Sequence, residues 1–267
     1  MSPRSVEQRS ASALRAGYSP AVRRFEVASI VAFAFAMLWL GSRFVAWVPE
    51  SPWLALTALL LAYAAADFGS GLVHWAADTW GTPDWPIIGK ALIRPFREHH
   101  VDQLAITRHD FVETNGNNCA ISIPLAVGAA LRPQRDAGDF FIAAFMFGML
   151  LFVFLTNQFH KWSHMARPPR AVALLQKWHL VLPPEHHAIH HAPPFAKYYC
   201  ITVGWLNEPL HWIRFFRILE WMIAHTTGLV PREDDIGRRA ALTVMKAEVV
   251  PKEPATSSDE MLKVPPA

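Results

Sequence analysis

Thirteen histidines occur in this chain, and eleven of them lie between His74 and His191. Nine of those gather in four places: His74 in GLVHWAADTWG, His99 and His100 in FREHHVD, His160 and His164 in HKWSH, and His186, His187, His190 and His191 in HHAIHH. Residues four apart on a helix share a face, so His160 and His164 can converge on one ion. HHAIHH offers that spacing twice, pairing His186 with His190 and His187 with His191, provided it is helical. Pro183, Pro184 and Glu185 mark a helix start just before it. Upstream, Asp67, Gly71, His74 and Asp78 follow a 4-3-4 spacing that aims acid, gap, imidazole and acid at one neighbour. Neutral imidazole is a ligand for zinc, copper, iron and nickel. A zinc site needs three or four ligands and haem one or two axial residues. The histidines here exceed both needs, which points to two non-haem metal ions.

Asp67 and Asp78 are the carboxylates expected to serve this chemistry. Asp67 lies about ten residues, roughly 15 Å of helical rise, inside the end of an apolar run, where a carboxylate is costly and by default functional. It is expected to orient His74 or relay a proton, the alternative being a hydrogen bond to Ser or Thr on a neighbouring helix. Asp78, Glu98, Asp102, Asp110, Glu113 and Asn118 are candidates to support the ligands, or else cap helices and loops. His211 and His225 read as ordinary interfacial side chains, while His109 and His179 lie near a cluster and stay open.

The elements that must position these residues are helical and membrane-spanning. Of 267 residues 52% are hydrophobic, concentrated in segments 27–48, 53–77, 119–131 and 139–159. About 20 apolar residues cross a bilayer as a helix, so the first, second and fourth segments qualify. The third, at thirteen residues, rises only about 20 Å and reads as a short span with polar ends or a re-entrant piece. Lys and Arg set the orientation: Arg4, Arg9, Arg15, Arg23 and Arg24, then Lys90, Arg94, Arg97 and Arg108, then Lys161, Arg167, Arg170 and Lys177 share one side. Only Arg43, Arg132 and Arg135 face the other. Both termini and the histidine clusters are therefore expected in the cytoplasm, at a bacterial inner membrane or the endoplasmic reticulum. Parity adds a constraint. His99 and His100 reach the same face as His160 only if the third and fourth segments together make an even number of crossings.

The expected fold is an all-α integral membrane protein of about four transmembrane helices, with a cytoplasmic helical cap carrying a histidine cluster. Residues 1–24 read as a basic cytoplasmic tail, 25–231 as the membrane domain and 232–267 as a disordered tail. Within the domain, 171–182 is expected to form an interfacial or buried helix, and 198–224 an amphipathic stretch at the membrane surface. Two cysteines, Cys119 and Cys200, make no disulfide framework or CxxC pair. A net charge of +3 is too small to imply a nucleic-acid partner.

At the strings GLVHWAADTWG (71–81), FREHHVD (96–102), TRHDFVETNGNN (107–118), NQFHKWSHM (157–165) and HHAIHHAPPFAKYYCITVGWLN (186–207), the sequence resembles the Kua family of plasmanylethanolamine desaturases. That family belongs to the wider histidine-rich fatty-acid desaturase and hydroxylase group. The resemblance implies a membrane di-iron enzyme converting the 1-O-alkyl chain of an ether phospholipid to a vinyl ether. It also implies O2 as cosubstrate and an external electron-transfer protein, cytochrome b5-like or ferredoxin-like. Carried onto this chain, it makes His74, His99, His100, His160, His164, His187, His190 and His191 metal ligands, and His186 a ligand or a support for one. An acyl-lipid desaturase and a membrane hydroxylase share the same histidine pattern. A non-catalytic membrane protein that binds zinc is the alternative of a different class.

Overall fold

The computed structural model describes residues 19–86 and 88–249. Among these residues the chain is helical and contains no strand. Four long helices form its shaft: α1 (Pro20–Phe44), α2 (Pro52–Thr79), α5 (Phe111–Leu131) and α6 (Ala137–Ser163). Between α2 and α5 lie α3 (Arg94–Val101) and α4 (Ala105–Arg108). After α6 come α7 (Arg170–Lys177), α8 (Pro184–His190), α9 (Asn207–Trp212), α10 (Phe215–Thr227), α11 (Glu233–Ile236) and α12 (Arg238–Val249).

Local chemistry sets the helix starts. Ser19 accepts from Val22 N ahead of Pro20, Asp110 accepts from Val112 N and Glu113 N, and Asp136 accepts from Asp139 N. Each supplies an acceptor to amides that have no intrahelical partner. α2 stops where Trp80 turns extended and Gly81 takes a φ of 78°.

α6 is the central helix, packing on α1, α2 and α5. Its contacts with α2 keep step along both helices: Gly148 faces Leu59 and Ala62, Phe152 packs at a tilt on Tyr63, and His160 neighbours His74. The two helices therefore run parallel. Against α5 the order reverses, with Asn118 Nδ2 donating to Val153 O at 2.6 Å and Asn157 Nδ2 to Thr114 O at 2.9 Å. α1 follows α5, since Arg23 pairs with Asp110 at 2.7 Å and Glu26 abuts Gly116. α1 and α5 thus begin, and α2 and α6 end, at the same end of the shaft. Among the described residues, three helical stretches are long and apolar enough to cross a membrane: Pro20–Trp47, Pro52–Thr79 and Ala137–Ser163.

The third expected segment is a continuous helix of 21 residues that starts at Phe111 rather than 119. Its polar first turns hid it from hydropathy, and their side chains are satisfied internally: Thr114 Oγ1 donates to Asp110 O and Asn115 Nδ2 to Phe111 O. The helix expected over 171–182 ends at Lys177, because the chain turns at His179 (φ 53°), whose carbonyl accepts from Trp205 Nε1 at 2.6 Å. The stretch 198–224 divides into an irregular loop, α9 and α10, the last two broken at Arg214 (φ 56°).

A disordered tail from residue 232 is not what is found up to Val249. Arg232 is 2% exposed, and α11 and α12 follow it. Charge misled here, because a buried ion pair with Glu220 holds the segment. At the other end the basic tail gives way to helix at Pro20. The remaining tail residues, 1–18 and 250–267, lie outside the described residues.

Candidate metal centre

The helix ends bring two groups of metal-ligating atoms together where α2 and α6 finish. His99, His160, His164, His187 and His191 form one, and His74, Asp78, His100 and His190 the other. Within each group the ligand atoms lie within 4.8 Å of one another. The groups adjoin, since the His190 and His191 rings are 5.3 Å apart and those of His74 and His160 are 6.0 Å apart.

In the five-histidine group Nε2 atoms approach at 2.9 Å (His160–His187, His164–His187, His187–His191), 3.0 Å (His99–His164) and 3.2 Å (His160–His164). A metal–nitrogen bond of roughly 2.1 Å separates ligands at right angles by about 3.0 Å and tetrahedral ones by about 3.4 Å. The observed spacing suits ligands at right angles, the arrangement of five- or six-coordinate ions. The second group is wider: His100 Nε2 to His190 Nε2 is 3.0 Å, and Asp78 Oδ2 is 3.2, 3.6 and 3.5 Å from Nε2 of His74, His100 and His190. The Asp78 oxygens and His74 Nε2 are buried and have no hydrogen-bond partner among the described residues. Buried polar atoms left so are costly, and an ion between them removes the cost. Imidazole with one carboxylate suits iron as a donor set.

The imidazoles are kept neutral, as ligands must be. Burial and then neighbouring His191 hold His100 and His164 down to about 3, and burial holds His191 down to about 4. Two backbone carbonyls fix tautomers in the second group. His74 Nδ1 donates to Tyr199 O at 3.1 Å and His190 Nδ1 to Lys197 O at 2.8 Å, which leaves each Nε2 lone pair facing inward.

Two of the expected residues sit elsewhere. Asp67 is wholly buried but accepts from the backbone amides of Val203, Gly204 and Leu206 at 2.9, 2.8 and 3.2 Å. It ties the loop before α9 to α2, where the expectation was that it orients His74 or relays a proton, or else meets a Ser or Thr on a neighbouring helix. His186 lies in neither group, its Nε2 being 3.1 Å from Asn207 Nδ2. Gly71 leaves room for Cys200, since a Cβ there would stand 2.5 Å from Cys200 Sγ.

Among the supporting candidates, Asp110 caps α5, Asp102 pairs with Arg108, and Glu113 lies 3.9 Å from His109. None of His109, His179, His211 and His225 belongs to either group. Tyr199, Lys197 and Asn207 were within a quoted string but carried no sign of their roles, which run through backbone carbonyls and amide contacts.

Residues 63–234 match the lipid desaturase domain family. The chain belongs to it. This lipid desaturase is 55% identical over 242 residues to plasmanylethanolamine desaturase of Myxococcus xanthus, covering 91% of this chain and 86% of that protein. It is 48% identical over 189 residues to plasmanylethanolamine desaturase 1 of Mus musculus, covering 68% and 70%. It is 32% identical over 173 residues to fatty acid desaturase 4, chloroplastic, of Arabidopsis thaliana, covering 64% and 52%. No solved structure matches the chain.

Proposed function

We propose that this chain introduces the vinyl-ether double bond of plasmalogens into an alkyl-ether phospholipid, plasmanylethanolamine, at a di-iron centre. The observation that carries the proposal is the pair of adjoining buried ligand groups in a chain 55% identical to a plasmanylethanolamine desaturase. His99, His160, His164, His187 and His191 would hold one iron; His74, Asp78, His100 and His190 would hold the other. When bound, the irons supply the reduction of O2 and the removal of hydrogen from an unactivated C–H bond, with two electrons from a cytochrome b5-like or ferredoxin-like carrier.

The chain supplies the positioning. The Tyr199 and Lys197 carbonyls aim His74 and His190. Asp67 holds the loop that carries Tyr199, and this is its proposed part in the chemistry. His186 is proposed to brace Asn207, which clasps Cys200 N and O at 2.8 and 2.9 Å. Burial of His74, His187 and His190 keeps water from the reacting region. The alkyl chain has to lie with C1 and C2 toward the groups, so catalysis rests on orientation.

The same proposal includes four crossings, with both termini and the histidine groups in the cytoplasm, at a bacterial inner membrane or the endoplasmic reticulum. Supporting it, α5 is about 31 Å long by helical rise, and His99, which precedes α5, approaches His164, which follows α6, at 3.0 Å. The membrane domain is proposed to run from Ser19 through the α11 segment, extending the expected 25–231.

A second reading, desaturation of a phospholipid acyl chain, has the 32% identity to the Arabidopsis fatty acid desaturase in its favour. The lipid product separates the two. In a plasmalogen-free host that makes alkyl-ether lipid and a compatible electron carrier, the intact chain is expected to yield acid-labile vinyl-ether phospholipid and a His160→Ala variant none. New acyl double bonds alone would favour the second reading. One zinc per chain without iron would instead mark a non-catalytic zinc protein.

A further inference from the structure

We propose that Arg232 is a positioning residue for the His74–Asp78–His100–His190 group, acting from a strap of chain, Val230–Asp235, that closes over the end of α2. The inference rests on the metal-centre reading above.

The last carbonyls of a helix lack intrahelical donors, and α2 ends immediately after Asp78. Its exposed carbonyls are met from outside. Arg232 N donates to Thr79 O at 2.8 Å, and Arg97 Nε donates to Ala77 O at 3.0 Å. Both neighbours of Asp78 are thereby held. Arg97 also reaches Asp234 at 3.2 Å and Asp235 at 3.7 Å. It sits three residues before His100 on α3, so the strap clamps that helix to α2.

The Arg232 side chain acts on the third member, His74, through Tyr199. Its guanidinium grips both oxygens of Glu220, at 2.9 and 3.2 Å, and donates to the Tyr199 hydroxyl at 2.7 Å. Arg217 donates to the same hydroxyl at 3.0 Å, and Trp75 Nε1 donates to Glu220 at 2.9 Å. Tyr199 is wholly buried and meets Phe216 edge to face. Fixing its ring fixes its carbonyl, the acceptor that holds His74 Nδ1. A planar fork is needed to span a carboxylate and a phenol together.

The contacts of Arg232 lead to α2, Tyr199 and Glu220, whereas four of the five histidines in the other group stand on or beside α6 and α8. Its loss should therefore affect one ion and spare the other. Removing such a partner typically costs about 10–100-fold in metal affinity.

The test is iron stoichiometry and chelator release on purified, folded full-length chain, with wild type, Arg232→Gln and Tyr199→Phe compared. Wild type is expected to hold two irons, and Arg232→Gln to retain one. Tyr199→Phe keeps the carbonyl while removing the hydroxyl that the two arginines hold. It is expected to release one iron at least tenfold faster than wild type, and it decides the matter should Arg232→Gln not fold. Two irons held as tightly as in wild type by the folded variants would overturn the proposal, as would equal loss of both. Wild type that binds two irons without desaturating lipid would sink the functional reading and leave the positioning role standing. Wild type that binds no iron would sink both.

Discussion

His99 and His100 are consecutive, as are His190 and His191, and each pair divides between the two ligand groups. A helix turns about 100° per residue, so neighbouring side chains diverge, and a double histidine can serve two ions only from between them. His186 and His187 have the same appearance in sequence, yet His186 turns to Asn207. His187→Gln should abolish metal binding at its group, whereas His186→Gln should keep the metal and stay within about threefold of wild-type activity. Metal analysis beside a lipid assay separates the two, and equal loss in both variants would return His186 to the ligands. Asp67 belongs to the same scale. Asp67→Ala would leave two buried amides and one partly buried amide without their acceptor, at about 1–3 kcal/mol for each buried one. The unfolding midpoint of the solubilised protein should drop clearly for Asp67→Ala and less for Asp67→Asn, whose amide oxygen still accepts. An unchanged midpoint in the alanine variant would contradict this role.

Between elements, the fit of the 197–206 loop against α2 is as demanding as the ligands themselves. Gly71 permits it: a Cβ there would meet Cys200 Sγ at 2.5 Å, with Cys200 N at 3.3 Å. Gly71→Ala should push the loop outward, draw the Tyr199 carbonyl from His74 and destabilise the protein by about 1–3 kcal/mol, as overpacking does. Adding Cys200→Ala removes the sulfur and should recover most of the stability and the metal. A double variant no better than the single one would move the clash to the backbone. The spans α1, α2 and α6 were legible because continuous apolar runs admit few other arrangements in a bilayer. α5 was legible only from 119 onward, since Thr114, Asn115 and Asn118 look like loop residues until their partners across the helices are known. The end of α7 was misread for a similar reason, being set by a contact between Trp205 and His179.

For the molecule as a whole, packing many imidazoles together has a consequence for pH. His100 and His164 are held to about 3 and His191 to about 4, against about 6.5 for a free imidazole. Between those values the unfolded chain binds more protons than the folded one, so folded stability rises with pH across the window and is lost as pH falls through it. The metal-free protein should therefore lose thermal stability steadily from pH 6.5 to pH 4. The iron-loaded protein should resist until the metal is released, because ligated nitrogens cannot take a proton. Parallel pH curves for the two forms would argue against metal at these histidines.

The residue types and their spacing, by themselves, determined that imidazoles would gather at one end of a helical membrane protein and exceed the needs of a single ion. Helical period and apolar length are local properties, and they survive in a sequence read alone. Which histidine joins which group, why Asp67 braces a loop, and why Arg232 is buried were decided by tertiary structure. Those answers depend on backbone carbonyls and on ion pairs between residues far apart in the chain. A carbonyl is common to every residue and carries no sequence signal, and a buried Arg–Glu pair looks like two solvated charges until folding brings the partners together.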